Sequence, residues 1–299
     1  MKYYPQLVIA CLFAASISIQ AMSAGQVADR EKIRAKEALF KNIVKTCIEE
    51  KATYTVSSEA MPDFENSEIP GVLFDKSRAD RKVVAAPENA VMPARGRFDW
   101  TAKGVVTSIK DQTDKAGTCW AFAMCGVFES SMAIRTGKLY DISEQDLINC
   151  NPYMSGIDGG YTYAADWLAE KGVCSEADCP YTASMGNCCE SLKRPFRAKP
   201  YVYVKNTVAD IKYFLQQWGP LYTTVSADNQ FQAYSGGVYN HETGAGNNHA
   251  VMIVGWDDTA GKGCWIIKNS YGTNWGTSGF MYIEYGKSGI GEDTTFIGY

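Results

Sequence analysis

Beyond residue 91 the chain changes character, and the order of its patterns narrows the architectures open to it. Helical signals come first, over Cys119 to about Ile134, Ser143 to Cys150 and Tyr161 to Lys171. The second of these opens on Ser143-Glu-Gln-Asp146, in the style of a capping box. Strand signals follow: YVYV at 201, LYTTVSA at 221, AVMIVGW at 250, CWIIKNS at 264 and FMYIEY at 280, with one helical stretch, Val208 to Trp218, between them. Helices in one half and strands in the other predict an α+β fold of two unlike lobes with a cleft between them. Residues 92–299 suffice for one large domain or two such lobes. No internal repeat is visible.

Upstream of that boundary the chain reads differently. Lys2, the apolar run from Leu7 to Ile19 and the small residues A-M-S-A at 21–24 make a secretory signal pattern over residues 1–24, too short to span a bilayer. Residues 25 to about 52 carry Ala28, Ile33, Leu39, Phe40, Ile43, Val44, Cys47 and Ile48 near helical spacing. Residues 53–91 are polar and weakly patterned, as an extended segment or linker would be. An exported chain meets an oxidising compartment, so disulfides are expected among the ten cysteines. Charge is nearly balanced, 29 Lys+Arg against 33 Asp+Glu, with no basic stripe, which argues against a nucleic-acid partner. No membrane partner, no N-x-[ST] sequon and a monomer are expected. The destination is secreted or lysosomal/endosomal.

Chemistry points to Cys119, the first residue of its helix after Gly117-Thr118. Unpaired N–H groups and the positive dipole end there stabilise a thiolate, which is the nucleophilic form. Cys125, two turns on, reads as core. A thiolate needs an acid–base partner, and the chain has only two histidines. His249 heads a strongly apolar strand, a rigid mount; His241 lies among turn residues and reads as surface. Asn269, ending the next strand, can accept the imidazole N–H and fix its tautomer. The Cys119 N–H and the Gln112 side-chain amide are candidate donors to an oxyanion.

These stretches in this order, D-Q-x(6)-C-W-A-F, S-E-Q-D-L-I-N-C, G-G-Y, N-H-A-V-M-I-V-G-W and K-N-S-Y-G-T-N-W-G, resemble the papain-like cysteine proteases, cathepsins B and L among them. The resemblance covers about residues 92–299. It implies a helical lobe and a β-rich lobe. It makes Cys119 the nucleophile, His249 the acid/base, Asn269 the orienter and Gln112 the oxyanion donor. Lowered thiol pKa and Cys-His-Asn catalysis are known illustrations from this family. Gly159 and Gly160 resemble the glycine pair that lets substrate backbone lie close to the cleft wall. Tyr271 stands where the family has a Trp shielding the Asn–His bond, and is counted with the substrate-binding residues. Residues 25–91 resemble a propeptide in place and length, matching its helical motif loosely at Glu31, Arg34, Phe40 and Asn42. Its role would be to lie through the cleft as an inhibitor and be cut off between about Arg81 and Arg95.

Departures from the family pattern are as informative. Ala116 and Ile157 stand where the family has two bridged cysteines, so both halves of one disulfide are missing together. Six residues separate Gln112 from Cys119, one more than usual, and full activity requires the extra residue to bulge outward. Cys150 matches a family disulfide cysteine whose partner falls at Cys188 or Cys189, Cys188 being favoured. Cys174, Cys179 and the remaining member of that pair are open to a further bridge. A zinc site is disfavoured because paired C-x-x-C units are lacking. Cys264 reads as a packed free thiol. Ser288 replaces a family cysteine, and five residues on, Asp293 falls at the floor of the second subsite. An acidic floor there resembles cathepsin B and would accept Arg. The dipeptide-removing loop of that enzyme needs two histidines, which this chain cannot supply, so endopeptidase action is expected.

The resulting reading is a cysteine endopeptidase made as a secreted zymogen, acting on peptide or protein substrates with no cofactor or metal. The alternative is a papain-fold protein with weakened or lost catalysis that serves as a binding or regulatory module.

Overall fold

A computed structural model describes residues 24–61, 71–73, 82–153 and 155–299. The apolar run of the expected signal segment, and Arg81 at one end of the expected cut, lie outside the described residues. The chain falls into two units, residues 1–39 and 40–299. Helix α1 (Ala24–Glu49) begins in the first, where Val27 and Ile33 are exposed. The rest of this section concerns the second unit, in which the end of α1 buries Ile43.

After α1 come β1 (Tyr54–Val56), β2 (Val83–Val84) and β3 (Arg97–Asp99). The helical lobe follows, with α2 (Cys119–Thr136), α3 (Glu144–Cys150) and α4 (Ala165–Glu170). The β-rich lobe holds β4 (Val202–Val204), α5 (Val208–Trp218), β5 (Leu221–Val225), α6 (Asn229–Gln232), β6 (Tyr234–Tyr239), β7 (His249–Asp257), β8 (Cys264–Lys268), β9 (Phe280–Glu284) and β10 (Glu292–Phe296). The strands lie in the order β1-β6-β9-β8-β7-β5-β10-β4-β2, with β3 pairing the far end of β7. This is the α+β architecture expected.

Helix α2 is buried from Cys119 to Ala133 and apolar over its first ten residues, and the buried Glu129 that follows is satisfied by the Thr107 hydroxyl and the Ile142 N–H. It packs on β7, which is buried at all nine positions. Both faces of β7 meet a core. Ala250, Met252 and Val254 join the cluster around α2, while Val251 and Ile253 join the cluster of the β lobe. Strict alternation would send Trp256 to the α2 side. A bulge between Ile253 and Gly255 reverses the parity and sends it to the β-lobe core instead. Gly255 allows this, since a Cβ there would lie 2.4 Å from the Phe98 carbonyl oxygen of β3.

Helix starts follow their local signals, with one difference. Ser143 caps α3 by accepting the Asp146 N–H. The return half of a capping box is absent: the Asp146 carboxylate instead takes a bidentate bond from Arg194 and the Cys174 N–H. Thr207 caps α5 by accepting the Asp210 N–H. Cys150 is bridged to Cys188, and Cys174, Cys179, Cys189 and Cys264 are free thiols. Among the described residues no group of His, Cys, Asp and Glu has the arrangement of a metal site.

Residues 53–91 contain extended pieces, the first of the two readings the sequence allows. β1 pairs with β6 and β2 with β4, so two pieces of this segment are hydrogen-bonded to the β lobe. Strands of three and two residues are too short to show an alternation in sequence.

Candidate active site

Thr118 and Cys119 open α2, so the thiol stands at the positive end of an 18-residue helix. His249 opens β7, and Asn269 follows directly on β8, its antiparallel neighbour. The His249 Nε2–H donates to Asn269 Oδ1 at 2.8 Å. The same oxygen accepts the Ser270 N–H at 2.8 Å, which fixes which amide atom faces the ring. The tautomer this selects leaves Nδ1 as the free base. The N–H of Ala250, next to His249, donates to Cys119 Sγ at 3.3 Å. Tyr271 stacks on the imidazole at 4.8 Å and 29°, with Trp275 edge-on behind it at 5.6 Å. Phe231 closes another side at 5.8 Å.

The chain itself lies across this group. The Gly71 and Val72 N–H groups both donate to the Asn248 carbonyl, at 3.0 and 3.1 Å, and the Leu73 N–H donates to the Gly160 carbonyl at 2.9 Å. Val72 pairs with Gly160 in parallel. The segment Gly71–Leu73 thus joins the wall on the β lobe to the wall on the helical lobe, with Gly71 directly over the thiol. A Cβ on Gly71 would lie 2.0 Å from Cys119 Sγ.

Burial under this cover favours the neutral forms of both groups. Desolvation pushes the Cys119 thiol up to about 12, against the pull of the Ala250, Trp120 and Cys119 N–H groups. Desolvation likewise lowers His249 to about 4, with the Asn269 bond opposing it. A thiolate–imidazolium pair is therefore disfavoured while the segment is in place.

Gln112 is buried and locked. Its Nε2 donates to the Ala116 carbonyl at 3.0 Å, its Oε1 accepts the Ser270 hydroxyl at 2.6 Å, and its N–H donates to the Ser270 carbonyl at 2.9 Å. In the longer loop Lys115 is exposed while Thr113 and Asp114 are half-buried, and Thr113 takes a left-handed φ of 64° stabilised by Asp111. Where the family disulfide is missing, the Gly117 N–H donates to the Ile157 carbonyl at 2.7 Å, linking the same two segments.

At Gly160 the reason for glycine is more specific than an open cleft wall. A Cβ would fall 2.4 Å from the Trp120 ring, so the wall packs down on α2 there. The Trp120 indole N–H donates to the Gly156 carbonyl at 3.0 Å. Gly159 has φ 137°, a conformation side chains rarely adopt. Asp293 lies in an irregular stretch of β10 with φ 49°, between Glu292, opposite Thr224, and Thr295, opposite Tyr222. Thr224 in turn faces Ala250 of β7, so Asp293 is two strands from the residue that contacts the thiol.

His241 corrects a sequence expectation. It is 8% exposed, not a surface residue. Its Nδ1 lies 2.6 Å from Glu50, just past the end of α1, and its Nε2 lies 3.1 Å from Asp228. The bond to Asp228, opposed by partial desolvation and assisted by Glu50, raises its pKa from 6.5 to about 9. The Asp228 carboxylate also caps α6 and accepts the Tyr239 hydroxyl at 3.4 Å, and Glu242 beside the ring accepts the Ser288 N–H. Because the folded pKa is raised, the stabilisation is complete below pH 6.5 and is lost as pH rises through 9. His241→Gln is expected to lower the urea-unfolding free energy of the full chain by about 1 kcal/mol at pH 6, an amount kept small by the partly exposed Glu50. The difference from wild type should vanish above pH 9. An equal loss at both pH values would show that packing, not charge, is responsible.

Sequence reasoning missed Asn248, Thr118 and Tyr181. Asn248 lies inside the N-N-H motif, where its carbonyl receives the covering segment and its side chain ties down Ala227.

A thiol at a helix N-terminus, an imidazole at the head of a strand and an amide fixing its ring define a thiol–imidazole–amide site in a two-lobed α+β fold. Residues 94–297 match the family described as papain family cysteine protease. The chain belongs to that family. It is 37% identical to falcipain-3 of Plasmodium falciparum over 235 residues, which are 74% of this chain and 47% of that protein. It is 30% identical to fruit bromelain of Ananas comosus over 272 residues, 87% of this chain and 77% of that one. The chain spans about half the length of the first curated relatives it matches. Digestive procathepsin L2 of Tenebrio molitor superposes with a TM-score of 0.81 at 26% identity, covering 94% of this chain and 96% of that one.

Proposed function

We propose that this chain is the precursor of a cysteine endopeptidase, with residues 92–299 as the peptidase and residues 25–91 as its propeptide, delivered by a signal segment at 1–24 to a secretory or lysosomal compartment. The observation that carries the reading is the peptide already seated in the site: Gly71–Leu73, hydrogen-bonded to both walls over Cys119. Its similarity to a procathepsin supports the precursor part.

With the cover removed, Cys119 returns to water at a helix N-terminus, and its thiolate is stabilised by the first-turn N–H groups. His249 takes the thiol proton. The thiolate forms a C–S bond to the scissile carbonyl, whose electron pair moves onto oxygen, stabilised by the Cys119 N–H and by the Gln112 amide. Collapse of this intermediate breaks the C–N bond, and His249 gives its proton to the leaving amine. Water, deprotonated by His249, then attacks the thioester. The acid product leaves and Cys119 recovers its proton. Asn269 keeps the ring in one tautomer through both halves, and Tyr271 shields that bond. Gly159 and Gly160 receive the substrate backbone, and Asp293 lies at the floor of the second subsite.

The test is thiol-dependent cleavage, after processing at mildly acidic pH, of peptides carrying Phe-Arg or Arg-Arg before the cut. Both should be cleaved, and Cys119→Ala should abolish both. Asp293→Ala should lower cleavage of Arg-Arg about tenfold to a hundredfold and leave Phe-Arg unchanged, as expected for loss of a charge-assisted bond. A folded, processed wild type that cleaves neither peptide would instead favour a binding module on a papain fold.

A further inference from the structure

Thr118 is the N-cap of α2, where a threonine ordinarily turns its hydroxyl back to accept an N–H of the first turn. It does not do so here. Its hydroxyl lies 2.7 Å from the Tyr181 hydroxyl, which in turn donates to the Gln112 carbonyl at 2.8 Å. Because the Tyr181 hydrogen goes to a carbonyl, which can only accept, Thr118 is the donor in the other bond. The relay runs from Thr118 O–H to Tyr181 O–H to Gln112 C=O. Tyr181 is itself held, its ring edge-on to Phe122 of α2 at 4.8 Å and its N–H on Glu176 at 2.8 Å. The relay spans the loop from Gln112 to Thr118, which lacks the family disulfide and is one residue longer than usual.

We propose that Tyr181 is a positioning residue for the nucleophile: it holds the Thr118 hydroxyl off the end of α2 and ties the loop that carries Gln112. The consequence is chemical. The Ala121 N–H already donates to the Thr118 carbonyl at 2.9 Å, so a Thr118 hydroxyl free to rotate becomes an acceptor for the Trp120 N–H, and an oxygen lone pair then faces the helix end where the thiolate needs uncompensated donors. Held by Tyr181, that hydroxyl spends itself outside the site. The inference rests on the reading of Cys119 as nucleophile given above.

Tyr181→Phe keeps the ring and removes only the hydroxyl, so the packing on Phe122 remains. Two readouts are taken on the processed chain: kcat and KM on the Phe-Arg peptide, and the pH profile of Cys119 alkylation by iodoacetamide, followed by mass spectrometry of the peptide containing Cys119. The variant is expected to lose about tenfold in kcat with KM unchanged, the pattern of an interaction that matters only in the transition state. Its alkylation midpoint should move up by about half to one pH unit as the thiolate loses support. In Thr118→Val/Tyr181→Phe no hydroxyl remains to cap the helix, and the midpoint should return to the wild-type value. A wild-type kcat and midpoint in Tyr181→Phe would overturn the proposal. So would a double variant whose midpoint stays raised, since Tyr181 would then act only through packing. If the wild type cleaves no peptide, the catalytic reading fails on that arm, while the alkylation midpoints still decide the role of Tyr181.

Discussion

Replacing His249 by Ala in the processed chain is expected to lower kcat on the Phe-Arg peptide by about a thousandfold or more, within the range for loss of a positioned acid–base group, with KM little changed. The reasoning begins with the leaving group. An amine departs as a neutral molecule only if it receives a proton as the C–N bond breaks. The neighbouring groups offer little else: Asn269 does not titrate, and the hydroxyl of the half-buried Tyr271 is held well above its ordinary range by desolvation. In the processed chain Glu50 is gone with the propeptide, but His241 keeps its bond to Asp228, the N-cap of α6. The ground-state contacts of a peptide lie on Asn248 and Gly160, neither of which His249 holds, so binding should survive. The alkylation profile gives a second measure. In the wild type the thiolate is supported by an imidazolium at mildly acidic pH, so reactivity should extend below the ordinary thiol range; in His249→Ala that limb should disappear. Asn269→Ala should show a smaller loss with the low-pH limb retained but shifted. A His249→Ala variant with kcat near wild type would remove the imidazole from the mechanism.

What could be read in the sequence and what could not divide along a physical line. Cys119, His249 and Asn269 were readable because each stands at the end of an element whose sequence is strongly patterned: a helix that opens on ten apolar residues, an apolar strand and the strand beside it. Local signals locate such ends. β7 reads as one continuous apolar run because cores lie on both of its faces. β6 and β10 were missed for the opposite reason. β6 reads Y-S-G-G-V-Y, with two glycines, and β10 reads E-D-T-T-F, with one apolar side chain. Both are strands because of their neighbours. His241 shows the same limit in a side chain. It sits in a polar, turn-like stretch, yet it is buried, since its two carboxylates come from positions 13 and 191 residues away. No local window contains Glu50. Tyr181 is similar: its partner Gln112 lies 69 residues earlier, and the reason for a tyrosine there appears only when the loop is folded against it. The missing disulfide was visible as a pair of absences at Ala116 and Ile157. What replaces it, a backbone bond from Gly117, leaves no trace in side-chain identity.

The second large effect is expected at Gly71, in the full-length precursor. Gly71→Ala should raise the rate of Cys119 alkylation at neutral pH by about tenfold to a hundredfold and speed self-processing, without changing the kcat of the processed enzyme. The added methyl carbon would lie 2.0 Å from Cys119 Sγ, far inside contact distance. Neither side can yield cheaply. The sulfur is pinned at the first turn of α2 with the Ala250 N–H on it, and the segment is pinned by three backbone bonds, two to Asn248 and one to Gly160. Relief therefore requires the segment to lift, which breaks some of these bonds and exposes Val72, now 5% exposed. Each net hydrogen bond lost is worth about 1 kcal/mol, so losing one or two of them, with part of the Val72 burial, matches the fold-change given. Lifting also readmits water. The thiol is held near 12 and the imidazole near 4 chiefly by desolvation, so both return toward values that permit the ion pair. On the proposed reading the cover blocks the site twice, by occupying it and by keeping Cys119 and His249 neutral. The two effects separate experimentally: occupancy alone predicts faster alkylation at every pH by one factor, whereas the electrostatic part predicts that the midpoint of the profile also moves down in Gly71→Ala. The exposed Cys189 provides the internal control, since its alkylation should not change. An alkylation rate at Cys119 equal to wild type would mean that the segment accommodates the methyl without lifting, and the close approach at Gly71 would then play no part in latency.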